Sequence, residues 1–134
     1  MLLKCNVLLT MTESKVIEEY QVVTQYFQMV KRLDDGNSTA NYRLGMLAVG
    51  RQDFPEGCRY LKRAFVTSPN HRGIIKNLGF CYVWLGELET ALPYLRSIPE
   101  ASDELGVYAW WWESHNRNDL SGFANQMVLR LNSQ

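Results

Sequence analysis

The side chains best suited to covalent or metal chemistry are few and scattered. Cys5, Cys58 and Cys81 are odd in number and far apart, with no C-x-x-C pair. Neither a disulfide framework nor a zinc ribbon is expected from them. Cys58 and Cys81 fall inside apolar helical pattern and read as small core residues. His71 and His115 stand 44 residues apart with no cysteine or carboxylate at ligand spacing, which favours loop or surface histidines over metal ligands. Ser114, His115 and Asp119 are neighbours along the chain, but adjacency on a helix and turn is not a nucleophile–base–orienter geometry. Glycine-rich phosphate loops, G-x-S-x-G and H-E-x-x-H are all missing. The expectation is a chain that is not an enzyme and that takes no metal and no cofactor.

Binding chemistry remains, and its class is bounded by composition. The chain has 134 residues, 46% hydrophobic and 21% charged, enough for one domain with a core of its own and unlike a disordered tail. The 14 Lys and Arg equal the 14 Asp and Glu, which argues against nucleic acid as the partner. That balance hides a split. Arg43, Arg51, Arg59, Lys62, Arg63, Arg72 and Lys76 face only Asp53 and Glu56 between positions 43 and 76, a net of +5. Between 87 and 119, seven acids face Arg96 and Arg117, a net of −5. Such asymmetry speaks to association rather than to fold. The apolar start is interrupted by Lys4 and Asn6, unlike a signal peptide, and nothing approaches the ~20 apolar residues of a membrane span. A reducing cytoplasm is the expected compartment, with no membrane insertion.

The elements that must position any binding surface are helices. Val16, Tyr20, Val23, Phe27 and Val30 recur at steps of three and four, tracing an apolar stripe on a first helix over 14–33. Thr10 or Ser14 caps its start, and Asp34-Asp35-Gly36-Asn37 ends it, with Gly36 suited to a left-handed cap. The sequence then repeats itself. Leu44-Gly45 returns as Leu78-Gly79, 34 residues later, and at that offset Asp53, Phe54, Gly57, Leu61 and Ala64 return as Glu87, Leu88, Ala91, Leu95 and Ile98. Each copy reads as helix, tight polar turn, helix. The small residues allow two antiparallel helices to approach closely, so Gly45 and Gly79 are expected at helix–helix contacts. Pro93 fits the first turn or so of a helix beginning near Glu89 or Thr90, where its missing N–H has no intrahelical partner to lose, or else a mild kink.

This pattern resembles the tetratricopeptide repeat, W-x₂-L-G-x₂-Y, then A-x₃-F, then a proline, at a 34-residue period. Leu78-Gly79-Phe80-Cys81-Tyr82 with Ala91 and Leu95 matches well; Leu44-Gly45, Gly57, Leu61, Ala64 and Pro69 match with weaker chemistry. The departures are Asn41 and Ile75 in place of Trp, Ala48 in place of Tyr, and Pro99, four residues early. The resemblance implies an all-α, right-handed solenoid of antiparallel helix pairs, about seven helices in a single domain over 1–134. The first helix would be followed by repeats over 38–71 and 72–101. Residues 102–132 would form a degenerate third hairpin and C-terminal cap, opened by Ser102 and turning at 116–119.

In this family the first helix of each pair lines a concave groove. Carried over, the groove holds Tyr42, Met46 and Val49, then Lys76, Phe80, Val83 and Trp84, then Tyr108, Trp112 and His115. Tyr42 and Met46 occupy positions where a carboxylate clamp needs Lys and Asn, so chaperone-tail recognition is not implied. The expected function is an adaptor binding a peptide or helix in an apolar groove. The alternatives are a dedicated chaperone, as in bacterial type III secretion, and a regulatory module of a transferase. Trp110, Trp111 and Trp112 sweep about 200° of a helix. One seam cannot take all three, so Trp110 or Trp111 is either covered by the last helix or serves as an anchor for a partner or for self-association.

Overall fold

The computed structural model describes residues 13–34 and 36–133, excepting the side chains of 13–17 and 20. Cys5, Thr10, Asp35 and the side chains of Val16 and Tyr20 therefore lie outside the described residues, and with them the cap and part of the stripe expected for the first helix. The Gly36 cap turns on the peptide from Asp35 and shares that fate.

Among the described residues all regular structure is helical: α1 (Glu13–Leu33), α2 (Ser38–Gly50), α3 (Phe54–Thr67), α4 (Arg72–Trp84), α5 (Leu88–Arg96), α6 (Ala101–Ser114) and α7 (Asn118–Asn132). The chain divides into two compact units with the boundary after Thr67. In the first, α2 packs against both α1 and α3; in the second, α4 pairs with α5 and α6 with α7, and α7 also lies against α4 and α5.

The 34-residue repeat has a local cause that can be read in hydrogen bonds. The helix starts of α2 and α4 are capped at the same repeat position. The Asn37 side chain accepts from the Ala40 N–H, and His71 Nδ1 accepts from the Ile74 N–H at 3.2 Å. His71 is thus accounted for as a cap. Each hairpin then turns alike. The N–H groups of Asp53, Glu87 and Arg117 each reach back 2.9 Å to the carbonyls of Ala48, Tyr82 and Trp112, the long closing bond of a helix C-terminus. The residue before each has positive φ: 63° at Gln52, 79° at Gly86 and 61° at Asn116.

Close packing follows at the predicted glycines. A Cβ on Gly45 would stand 2.8 Å from Leu61 Cγ and 3.2 Å from the Gly57 carbonyl oxygen, and one on Gly79 only 2.6 Å from Leu95 Cδ2. Leu44, Leu61, Leu78 and Leu95 fill the two hairpins and are essentially inaccessible, as are Ala64 and Ala91. Cys58 and Cys81 are buried among them, as the apolar pattern predicts.

Four expectations are corrected. Pro93 is the sixth residue of α5, well inside the helix. The helix starts at Leu88, so Pro93 deprives the Glu89 carbonyl of its partner; both residues face solvent, where water can replace the bond. The α5–α6 turn falls at 97–100 and α6 begins at Ala101, ahead of the 102 expected for the third hairpin, because Pro99 disfavours helical backbone at Ile98. Ser102 is not the cap of α6, which begins at Ala101 after Glu100; its hydroxyl instead bonds Asn132 Oδ1 at 2.9 Å, tying the start of α6 to the end of α7. The inward side of α1 is rotated from the expected stripe: Phe27 and Val30 are half-buried, but Val23 is exposed and Thr24, Gln28 and Lys31 are half-buried.

Candidate functional site

The α2 candidates share one face. Tyr42, Met46 and Val49 recur at i, i+4 and i+7, so they stack along one side of the helix. All three are half-buried, while Leu44, Gly45 and Ala48 are buried. The Arg43 guanidinium lies 5.7 Å from the Tyr42 ring centre, within cation–π range. On another side of α2, a cavity of about 180 Å³ opens toward α1 and α3, lined by Thr24, Gln28, Leu47, Arg51, Glu56 and Tyr60 among others. Gln28 Nε2 donates to Tyr60 Oη across it at 2.9 Å, and Arg59 pairs with Glu56 at its edge.

The α4 candidates have a different fate. Phe80, Val83 and Trp84 are buried, and so are Tyr108 and Trp112 of α6. The structure brings them together in an aromatic cluster. Tyr108 meets Phe80 and Trp84 edge-on, with ring centres 5.7 and 5.4 Å apart, and Trp112 meets Trp84 edge-on at 5.7 Å. Pairs of this geometry add about 0.5–1.5 kcal/mol each beyond burial. These five side chains are core, and they present no open groove.

Lys76 is likewise engaged. Its Nζ lies 3.1 and 3.2 Å from the two Glu104 carboxylate oxygens and 3.7 Å from Glu100. Arg72 grips Glu100 with both terminal nitrogens, and the Arg72 guanidinium, more than any other group, lowers the Glu100 carboxyl to about 2. Part of the basic stretch is thus neutralised by the acidic stretch within the second unit. The charge asymmetry of the sequence is smaller in the folded chain than along it.

The three indoles separate as helical geometry demands. Trp112 is buried, Trp111 is half-buried, and Trp110 is 67% exposed, uncovered by α7. Trp111 stacks on His115 with centres 3.8 Å apart, and His115 Nδ1 lies 2.8 Å from the Trp111 carbonyl oxygen. His115 is therefore a side-chain partner of Trp111, on an exposed turn. Exposed Val107 sits one helical turn before Trp110.

A surface that pattern reading missed lies on α1. Val22, Val23, Tyr26, Met29 and Leu33 are five of the nine large apolar side chains exposed among the described residues. The spacing 22, 26, 29, 33 carried the signal, but the stripe through Val23, Phe27 and Val30 competed with it.

Among the described residues no three His, Cys, Asp or Glu side chains gather as metal ligands, and no helix is long and apolar enough to cross a membrane. The chain matches no known protein family, and comparison with functionally characterised proteins finds no match.

Proposed function

We propose that this chain is a protein–protein interaction module of tetratricopeptide-repeat type, acting in the cytoplasm and holding a peptide or helix of a partner protein. The family reading is supported by the 34-residue register of caps, turns and glycine contacts across α2–α3 and α4–α5. The observation that carries the function is the half-exposed face of Tyr42, Met46 and Val49. Its three apolar side chains at helical spacing suit a segment anchored by hydrophobic residues rather than by charge. The Arg43 cation beside Tyr42 would favour a carboxylate at the edge of such a segment.

A photo-crosslinking amino acid placed at Met46 tests this reading, with the same group at Arg63 on α3 as the control. The expected result is a partner captured from position 46 and not from 63, and lost on adding Tyr42→Ala with the helical circular dichroism unchanged. Equal capture at both positions, or capture insensitive to Tyr42→Ala, overturns it.

A further inference from the structure

The cavity between α1, α2 and α3 is walled mostly by hydrogen-bonding groups. It holds about 180 Å³, and its wall belongs entirely to the first unit. A void of this size accepts roughly six to ten non-hydrogen atoms. Burial is graded along it. Leu44 of α2 and Tyr60 of α3, at one end, are buried; Arg51 and Asp53, seven residues away on the same two helices, are exposed. Cavities that stay dry are apolar, and in this wall only Leu44 and Leu47 are apolar. The site lies on another side of α2 from Tyr42, Met46 and Val49, so it is independent of the face that would hold a peptide.

The two ends ask for different groups. At the buried end, Gln28 Nε2 donates to Tyr60 Oη. That bond leaves the Gln28 side-chain oxygen as an acceptor and the Tyr60 O–H as a donor. An acceptor beside a donor complements a carboxamide, which meets both at once. A carboxylate offers no proton to the acceptor, and an alkyl group serves neither. At the open end, Arg51 and Asp53 carry opposite charges, and neither has an ion-pair partner among the described residues. Asp53 Oδ1 accepts from the Glu56 N–H, which leaves its second oxygen. The Glu56 carboxylate is already paired with Arg59. The charge on offer at the mouth is therefore one cation and one anion, the complement of a zwitterion.

We propose that this cavity binds a free α-amino acid with a carboxamide side chain, of the size of glutamine. Its carboxylate pairs with the Arg51 guanidinium, which can offer two parallel N–H bonds, and its ammonium pairs with Asp53. Its methylenes lie along Leu47, and its amide bonds the Gln28 oxygen and the Tyr60 hydroxyl. Seven helical residues separate the ends by about 10 Å along the axis. Aromatic side chains on a helix lean toward its N-terminus, here toward Asp53, which shortens the span the ligand must cover. Because the ligand touches α1 and the α2–α3 hairpin together, its binding also stabilises the first unit.

Isothermal titration calorimetry of the full chain tests the proposal, with L-glutamine as the probe. The expected result is saturable one-to-one binding with a Kd on the order of 0.1–1 mM. N-acetyl-glutamine and glutamine α-amide, each lacking one charge of the zwitterion, bind at least ~10-fold more weakly. L-leucine and L-glutamate weaken likewise, because each leaves the Gln28 acceptor without a donor. Arg51→Gln and Asp53→Asn each cost glutamine at least ~10-fold in affinity. Both positions are exposed, and asparagine can still cap α3, so circular dichroism and the thermal midpoint without ligand stay near wild type. Tyr60→Phe narrows the preference for glutamine over leucine, a change that loss of packing alone does not produce. The proposal is overturned if no saturable binding of glutamine develops by about 10 mM, or if the blocked glutamines bind as well as the free one. Wild-type affinity in Arg51→Gln and Asp53→Asn, or an unchanged glutamine-to-leucine ratio in Tyr60→Phe, overturns it equally.

Discussion

Residues 42, 46 and 49 of α2 and residues 76, 80 and 83 of α4 occupy the same repeat positions, 34 apart, yet one set is half-exposed and the other is buried or engaged. The helices have equal length and equivalent glycines, caps and closing turns. What separates them is what α6 brings. Tyr108 and Trp112 cover Phe80 and Trp84, and Glu104 with Glu100 takes Lys76. Position in a repeat decides which face a side chain is on. A neighbouring hairpin decides whether that face is a surface or a core.

The sharpest way to break this comparison is truncation at matched positions. Phe80→Ala should cost about 3–5 kcal/mol, as for a buried aromatic. Met46→Ala, at the half-exposed counterpart, should cost about 1 kcal/mol. Urea denaturation of both variants checks it, and equal losses would mean that α4 and α2 are covered alike. A binding assay with Phe80→Ala is correspondingly uninformative, because the fold itself is at stake there.

Glycines sharpen the same contrast within the hairpins. Gly79→Leu should destabilise by about 1–3 kcal/mol or more through overpacking against Leu95. Gly106 has nothing within 4 Å of an added Cβ. Gly106→Ala should therefore stabilise α6, by about 0.5–1 kcal/mol. Thermal midpoints moving in the same direction for both would contradict the packing described above.

The turns offer a smaller test. Gln52 and Gly86 share a positive φ at the same repeat position, a conformation that costs a non-glycine residue about 1 kcal/mol or somewhat more. Gln52→Gly should recover part of that, raising the midpoint slightly, whereas Gly86→Gln should lower it. The effect at Gly86 is the larger, since an added Cβ would also sit 3.0 Å from Phe123.

The smallest effect is electrostatic. Arg72 and Glu100 are on the surface, where ion pairs contribute little. Because the Glu100 carboxyl is lowered from 4.5 to about 2, its contribution is fully present above pH 4.5 and is lost as pH falls through about 2. Glu100→Gln should therefore lie slightly below wild type at neutral pH and converge with it in acid. A constant difference down to pH 2 would show that the pair is not the cause.

Much of the architecture is legible from residue types because its causes are local. A 34-residue echo of small, apolar and turn residues predicts helix, turn and helix, and Gly45 and Gly79 fall where those helices touch. The misreadings also have local reasons. Pro93 suits a helix start because its cost is least there, but Leu88 begins the helix earlier. Ser102 suits a cap by residue type, although Pro99 has already moved the turn. In the third hairpin the turn recurs 30 residues after the second, Gly86 to Asn116, while buried Leu120 and Ala124 follow Leu88 and Ala91 by 32 and 33. No single offset describes it.

By itself the sequence determined the helical class, the repeat register, the close-packed glycines and which side chains share a helix face. Each depends on contacts within a helix or between two helices joined by one tight turn. The tertiary structure alone decided that Phe80, Trp84, Tyr108 and Trp112 form a core, that Lys76 is neutralised, that Trp110 stays outside, and that the second apolar face of α1 is uncovered. Helical periodicity fixes the angle of a side chain about its own axis. It carries no information on which helix stands opposite, and burial is a property of that second helix.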